Sequence, residues 1–233
     1  MFIPLYDGEP LRNLKAPFVT YGIIAICVTV HLASLGGLLP AVEPLLAAGF
    51  GIIPKVVLGG AFLPVDLPQA PTWLTPVTSL FLHGNLAHLA GNMLFLWVFG
   101  DNVEDAMGHL RFAVFFLVCG ILAAFAHALM NLDSVQPLIG ASGSISGIIA
   151  AYLLLYPRVR IWGLVLKFVP IAVPAWVALG AWIMVQLFQG LWGGPSAVAW
   201  FAHLGGLAAG LGLLPLFVSH GISIRSRWSA GRP

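Results

Sequence analysis

The sequence predicts an all-α integral membrane protein, a bundle of six transmembrane helices with a long first loop lying in the membrane interface. Three observations carry this expectation. Hydrophobic residues make up 60% of the 233 and charged residues 8%, where a soluble domain carries roughly 25% charged residues, and mean hydropathy is +0.98. Apolar runs of spanning character recur along the chain. The basic residues fall almost entirely on one side of those runs. The length leaves room for several spans but for no sizeable soluble domain. A net charge of +2, with scattered basic residues, offers no nucleic-acid-binding patch. Cys27 and Cys119 lie within apolar runs and read as small buried hydrophobes, not as a disulfide framework.

In chain order, residues 1–17 form a short polar cytoplasmic segment, with Arg12 and Lys15 ahead of the first apolar run. That run, Phe18–Pro40, is longer than a signal-peptide core of roughly 7–15 residues and lacks a clear cleavage site, so it is read as a retained span. Residues 41–75 are apolar but broken by Gly49, Gly51, Pro54, Gly59, Gly60, Pro64 and Pro68, which predicts a loop with short interfacial helices. Further spans are expected at Asn85–Phe99, Leu110–Leu129, Ser142–Tyr156, Val169–Gln189 and Val198–Phe217, and residues 218–233 form a basic cytoplasmic tail. With the N-terminus inside, nine of the ten Lys and Arg residues face the cytoplasm and only Lys55 lies outside. Were the Ala41–Pro71 stretch also a span, seven of those nine would turn outward, so six spans is the better reading.

Polar groups at membrane depth are costly and therefore candidates for function. The second span carries His83, His88 and Asn92, and the spacing of His88 and Asn92 puts them on one helix face a turn apart. Taken alone, they are equally well read as hydrogen-bonding glue between helices. The fourth span opens with Gly140-Ala141-Ser142-Gly143-Ser144-Ile145-Ser146-Gly147, and the sixth contains His203 ahead of Gly206 and Gly210. Gly143 with Gly147, and Gly206 with Gly210, are small-xxx-small pairs that allow close helix approach. If the two helices pack through them, Ser142 and His203 come within hydrogen-bond reach, the geometry of a serine activated by a general base.

These motifs resemble those of the rhomboid intramembrane serine proteases. Gly140-Ala141-Ser142-Gly143 is similar to the family's GxSG motif, His83…His88…Asn92 to its HxxxxHxxxN signature, and Ala202-His203…Gly206…Gly210 to its AHxxGxxxG signature. Glu104 matches a glutamate just after the second span, and the opening IPLYDGEPLR looks like that of bacterial members. The resemblance covers nearly the whole chain, and three motifs in register are far more specific than one. It implies a Ser142–His203 dyad that hydrolyses a peptide bond near the outer face of the membrane. Ser142 would be the nucleophile and His203 the base and later the acid. His88, Asn92 and the Ser142 backbone N–H would form the oxyanion hole. His83, Gly140 and Gly143 would belong to the shell of the site, and His83 would hydrogen-bond to the loop above or to water. The fifth helix, with Trp176, Trp182 and Phe188, and the loop from Trp192 to Ala197 resemble the family's lateral gate and cap.

None of the eight acidic residues falls in the outer half of a span, so the orientation of the imidazole is expected to come from packing. Two positions depart from the family pattern. The region that would carry a Trp-Arg pair reads Trp73-Leu74-Thr75, which leaves no arginine for an ion pair to Glu104 or to lipid phosphate. Ser146 stands where an aromatic residue usually underlies the histidine, so another side chain must support His203. The remaining polar residues are read as structural: His31, His127 and His220 as structural or interfacial, Gln186 and Gln189 as interhelical hydrogen bonders or outer-loop contacts, and Arg158, Arg160 and the Arg225–Arg232 tail as anchors near anionic lipid. No cofactor or metal is expected, and the partners expected are transmembrane protein substrates and lipid. The alternatives are a rhomboid-like pseudoprotease, which binds membrane helices without cutting, and a metal or proton transporter built on His83, His88, His127 and His203. The second lacks the intramembrane acids of a proton relay and matched broken-helix repeats. A bacterial plasma membrane, with both termini cytoplasmic, is the expected location.

Overall fold

A computed structural model describes residues 2–35, 45–165, 168–192 and 199–219. The apolar runs form helices α1 (Phe18–Leu35), α2 (Leu86–Met107), α3 (His109–Met130), α4 (Ser142–Leu155), α5 (Ala175–Trp192) and α6 (Trp200–Phe217). Among the described residues, α1, α3, α5 and α6 are long and apolar enough to cross a membrane, and the chain is a multi-pass membrane protein. Helix α4 has 14 residues, about 21 Å at 1.5 Å per residue, against about 30 Å of hydrocarbon. It is buried on every face, the pattern of a central helix, and packs against α2, α3, α5 and α6.

The all-α expectation needs correction. Strands β1 (Phe2–Tyr6), β2 (Arg160–Val165) and β3 (Val169–Pro174) form an antiparallel sheet in that order, with Ile3 opposite Leu164 and Trp162 opposite Ala172. The fifth span therefore does not start at Val169. Pro170 and Pro174 would each remove a helical hydrogen bond, which disfavours a helix through this stretch, and Val169, Ile171 and Val173 favour a pleated strand. Edge positions for β1 and β3 tolerate Pro4, Pro170 and Pro174. A Cβ at Gly163 would lie 2.4 Å from the Ile3 carbonyl oxygen, so the middle strand needs a glycine for β1 to approach.

Helix α2 also runs eight residues beyond the expected Phe99, because its polar last turns find partners in other elements. Glu104, fully buried, accepts hydrogen bonds from the backbone N–H groups of Val19 (3.0 Å) and Thr20 (2.8 Å), from the Thr20 hydroxyl (2.7 Å) and from His109 Nδ1. It thus caps the N-terminus of α1 from a distance, where orphan amides and the helix dipole favour a carboxylate. Asp105 accepts from the backbone N–H groups of Arg12, Asn13 and Leu14. Asp7 accepts from Tyr152 Oη (2.6 Å) and Asn102 Nδ2 (2.9 Å). These bonds clamp the N-terminal segment to the ends of α2 and α4. Ser219, just past α6, donates from its backbone N–H to the Ala106 carbonyl (3.0 Å).

Between α1 and α2 the described chain is a series of short turns, Ala47–Phe50, Pro54–Val57, Thr72–Leu74, Thr75–Thr78 and Ser79–Phe81. Ile52 exchanges two backbone hydrogen bonds with Leu138 (3.0 and 2.8 Å). The first loop is thereby tied to the segment that leads into α4. Residues 41–44, where that loop was expected to begin, lie outside the described residues, as do the cap-loop residues 193–197, His220 and the Arg225–Arg232 tail.

Candidate active site

The site is built where α4 begins. Gly140 has φ +114°, a conformation that L side chains rarely adopt. A Cβ there would lie 2.8 Å from the His88 ring and 3.5 Å from Asn92 Nδ2. Its N–H donates to the Ser79 carbonyl (2.8 Å), which fixes the turn, and Ser142 follows as the first residue of α4. Glycine is required at 140 for two reasons, the backbone angle and the close approach of His88.

The glycine pairs bring α4 and α6 together. A Cβ at Gly206 would lie 2.0 Å from the Gly143 carbonyl oxygen, and one at Gly210 would lie 2.3 Å from that of Gly147. On the other flank of α4, Cβ atoms at Gly143 and Gly147 would meet Ala123 Cβ (2.6 Å) and Cys119 Sγ (2.7 Å) of α3. This close packing places Ser142 Oγ 2.9 Å from His203 Nε2, hydrogen-bond distance. Cys27 and Cys119 are free and buried.

His203 is held by groups that sequence reasoning passed over. Its Nδ1 pairs with Gln186 Oε1 at 2.7 Å, so imidazole orientation does not rest on packing alone, as expected, but on a side-chain hydrogen bond from α5. Gln186 is buried at 4% exposure and does hydrogen-bond between helices, yet its partner is the candidate base. A signal was available: Ala175, Ala178, Leu179, Trp182 and Gln186 fall at helical spacing on one stripe, and Gln186 is the polar residue on it. Trp182 and Trp200 flank the His203 ring, each with its centroid 6.0 Å away, at 34° and 89°. They stand in for the aromatic missing at 146, where Ser146 Oγ instead bonds back to the Ser142 carbonyl (2.7 Å). Trp176 and Phe188 point away from the bundle, 57% and 60% exposed.

On the opposite side of Ser142, Asn85 caps α2 by accepting from the His88 backbone N–H (2.9 Å). That start presents His88 and Asn92 toward Gly140. Asn92 Nδ2 is buried and has no hydrogen-bond partner among the described residues. His83 is fully buried and its ring stands edge-on to His88, centroids 5.2 Å apart. Neither of its ring nitrogens meets a side-chain partner among the described residues. Its carbonyl accepts from His31 Nδ1 at 3.1 Å, which gives His31 a structural role. A cavity of about 10 Å³, room for about one water, lies beside Ser142 among Ser79, Gly120, Gly140 and Ala202. The hydroxyl, its imidazole neighbour and the Asn92 amide beside Gly140 are the kinds of group that acyl transfer uses.

The family model of the rhomboid domain matches residues 70–220. The chain is 40% identical over 81 residues to rhomboid protease GluP of Bacillus subtilis (strain 168), covering 35% of this chain and 15% of that protein. It is 31% identical over 147 residues to presenilin-associated rhomboid-like protein A, mitochondrial, of Danio rerio (62% and 38%). It is 32% identical over 146 residues to rhomboid protein 1, mitochondrial, of Saccharomyces cerevisiae (58% and 39%). The chain thus spans well under half the length of these curated relatives. With its family model matched over more than half its residues, the chain belongs to the rhomboid family.

Proposed function

We propose that this protein is an intramembrane serine endopeptidase that cleaves transmembrane protein substrates near the outer face of the membrane. The observation that carries the reading is the 2.9 Å contact of Ser142 Oγ with His203 Nε2 at the mouth of a short central helix. In the first step Ser142 Oγ attacks the scissile carbonyl carbon while its proton passes to His203 Nε2. The tetrahedral oxyanion is met by the Ser142 N–H, by Asn92 Nδ2 and by His88, at a helix N-terminus whose partial positive charge favours it. As the C–N bond breaks, imidazolium returns the proton to the leaving amine. A water activated by the same imidazole then hydrolyses the acyl-enzyme, releasing the carboxylate and restoring the Ser142 hydroxyl. His83 and Gly140 shape the shell, Gly143, Gly147, Gly206 and Gly210 set the helix spacing, and no metal or cofactor takes part.

The topology that goes with this reading has six spans, residues 18–217 forming the protease domain, with residues 1–17 and 218–233 on the cytoplasmic side of a bacterial inner membrane. The shortness of the central helix supports a Ser142 below the outer surface in this reading, where water would reach it through a polar cavity.

The test is reconstitution in liposomes with a fluorogenic transmembrane substrate, comparing wild type with Ser142→Ala and His203→Ala. Cleavage by wild type and by neither variant is expected, with a fluorophosphonate probe labelling Ser142. Cleavage that persists in both variants would refute the dyad. Absence of both cleavage and labelling in the wild type would favour a pseudoprotease.

A further inference from the structure

We propose that Gln186 is the positioning residue for His203, selecting the tautomer and ring orientation that let the imidazole act as a base; this rests on the protease reading above. An amide oxygen only accepts. With Gln186 Oε1 2.7 Å from Nδ1, the Nδ1 position carries the proton and Nε2 keeps its lone pair for the Ser142 hydroxyl, 2.9 Å away. The opposite tautomer would face Ser142 with an N–H, which cannot take a proton.

Among the described residues, no other group around the ring makes that choice. Trp182 and Trp200 bound the ring by shape, and an aromatic face distinguishes Nδ1 from Cδ2 poorly. Ser146 is engaged with the Ser142 carbonyl. The sequence offers no carboxylate in the outer half of a span, so a neutral amide occupies the place that an aspartate holds in a serine–histidine–aspartate triad. A neutral partner suits a site buried from water, since it orients the imidazole without adding a buried charge. Gln186 lies on α5 and His203 on α6, so the competence of the base depends on where α5 sits. Any displacement of α5 that parts the 2.7 Å contact also releases the tautomer.

The experiment compares wild type, Gln186→Met, Gln186→Leu and Gln186→Glu in liposomes, with Ser142→Ala as the blank. Substrate cleavage, the rate of fluorophosphonate labelling and thermal midpoint are measured for each. Met keeps the length of the side chain and Leu its volume, and neither offers an oxygen; Glu keeps the acceptor. The expected result is a kcat lower by about ten- to a hundred-fold in the Met and Leu variants, less than the roughly 10²–10⁴-fold of a general base lost outright, because His203 itself remains. KM and thermal midpoint stay near wild type, labelling slows in parallel, and Gln186→Glu retains activity within about threefold. A merely structural glutamine predicts the reverse, since Met and Leu fit an apolar interface and a buried Glu does not. Full kcat and labelling in Gln186→Met, or Gln186→Glu as impaired as Gln186→Met, would overturn the proposal. Wild-type cleavage that Ser142→Ala does not abolish would instead overturn the protease reading. If wild type is labelled without cleaving, the labelling rates alone decide the role of Gln186.

Discussion

The two ends of the helical bundle are both polar, and they differ in how their polar groups are satisfied. At the Glu104 end, carboxylates meet donors at almost every oxygen: Glu104 caps α1, Asp105 gathers three backbone amides, and Asp7 joins Tyr152 to Asn102. At the Ser142 end, His83 Nδ1 and Nε2, Asn92 Nδ2, His127 Nδ1, Ser144 Oγ and Trp200 Nε1 are buried without a hydrogen-bond partner among the described residues, against Asn102 Oδ1 alone at the Glu104 end. A buried polar group left unpaired costs about 1–3 kcal/mol, so an accumulation of them at one end is tolerated only where something else benefits. One end holds the fold together through paired carboxylates; at the other, the protease reading proposed above assigns the Asn92 donor to a substrate oxyanion.

Mutations at the two ends should therefore have opposite readouts. The largest effect is expected from Ser142→Ala or His203→Ala, a loss of at least about 10³ in cleavage rate with a thermal midpoint close to wild type; an unfolded variant would break the contrast. Asn92→Ala should lower kcat by about 10²–10³, the usual consequence of losing one oxyanion donor, while KM for a transmembrane substrate stays nearly constant. Glu104→Ala should do the reverse. Stripping the amides of Val19 and Thr20 of their acceptor should lower unfolding stability by about 2–4 kcal/mol, leaving the kcat of the folded fraction unchanged in a titrated-site assay.

Gly206→Ala should join the two readouts, because its methyl would press on the Gly143 carbonyl oxygen and move His203 from Ser142. Activity should fall together with about 1–3 kcal/mol of stability. The smallest effect is expected from pH at the Glu104 end. Burial raises the Asp7 carboxyl above its ordinary 3.8, a rise that bonds from Tyr152, Glu9 and Asn102 only partly offset. The folded state then holds this proton more tightly than the unfolded one. The Asp7 contribution to stability is accordingly greatest below pH 3.8 and erodes as pH rises through the raised folded value. Asp7→Asn should flatten that part of the stability–pH curve; an unchanged curve would show that Asp7 does not govern it.

Much of this was legible in the chain because it depends on local rules. Apolar runs gave helices at Leu110–Leu129 and Ser142–Tyr156 that the structure matches within a residue or so, and the small-xxx-small spacing anticipated where α4 and α6 meet. What escaped depended on distant partners. The sheet was missed because β1 and β2 lie more than 150 residues apart in sequence, and because the apolar content of Val169–Pro174 outweighed the two prolines that disfavour a helix there. Helix α2 ran past its expected end because Glu104 and Asp105 are costly within a span only until α1 and the N-terminal segment supply their donors. Gln186 looked like an ordinary interhelical bonder because its stripe on α5 shows that it is buried, not what it touches.

The sequence by itself determined the membrane class and the family, since both rest on composition and on motifs whose residues are close in the chain. It placed Gly140 only in the shell of the site; the need for glycine there follows from the φ of +114° and the close approach of His88, which the structure shows. Only the tertiary structure decided which side chain holds the imidazole and which polar end is satisfied. Those outcomes turn on separations of a few ångströms between residues on different helices, which helix packing sets and local sequence does not encode.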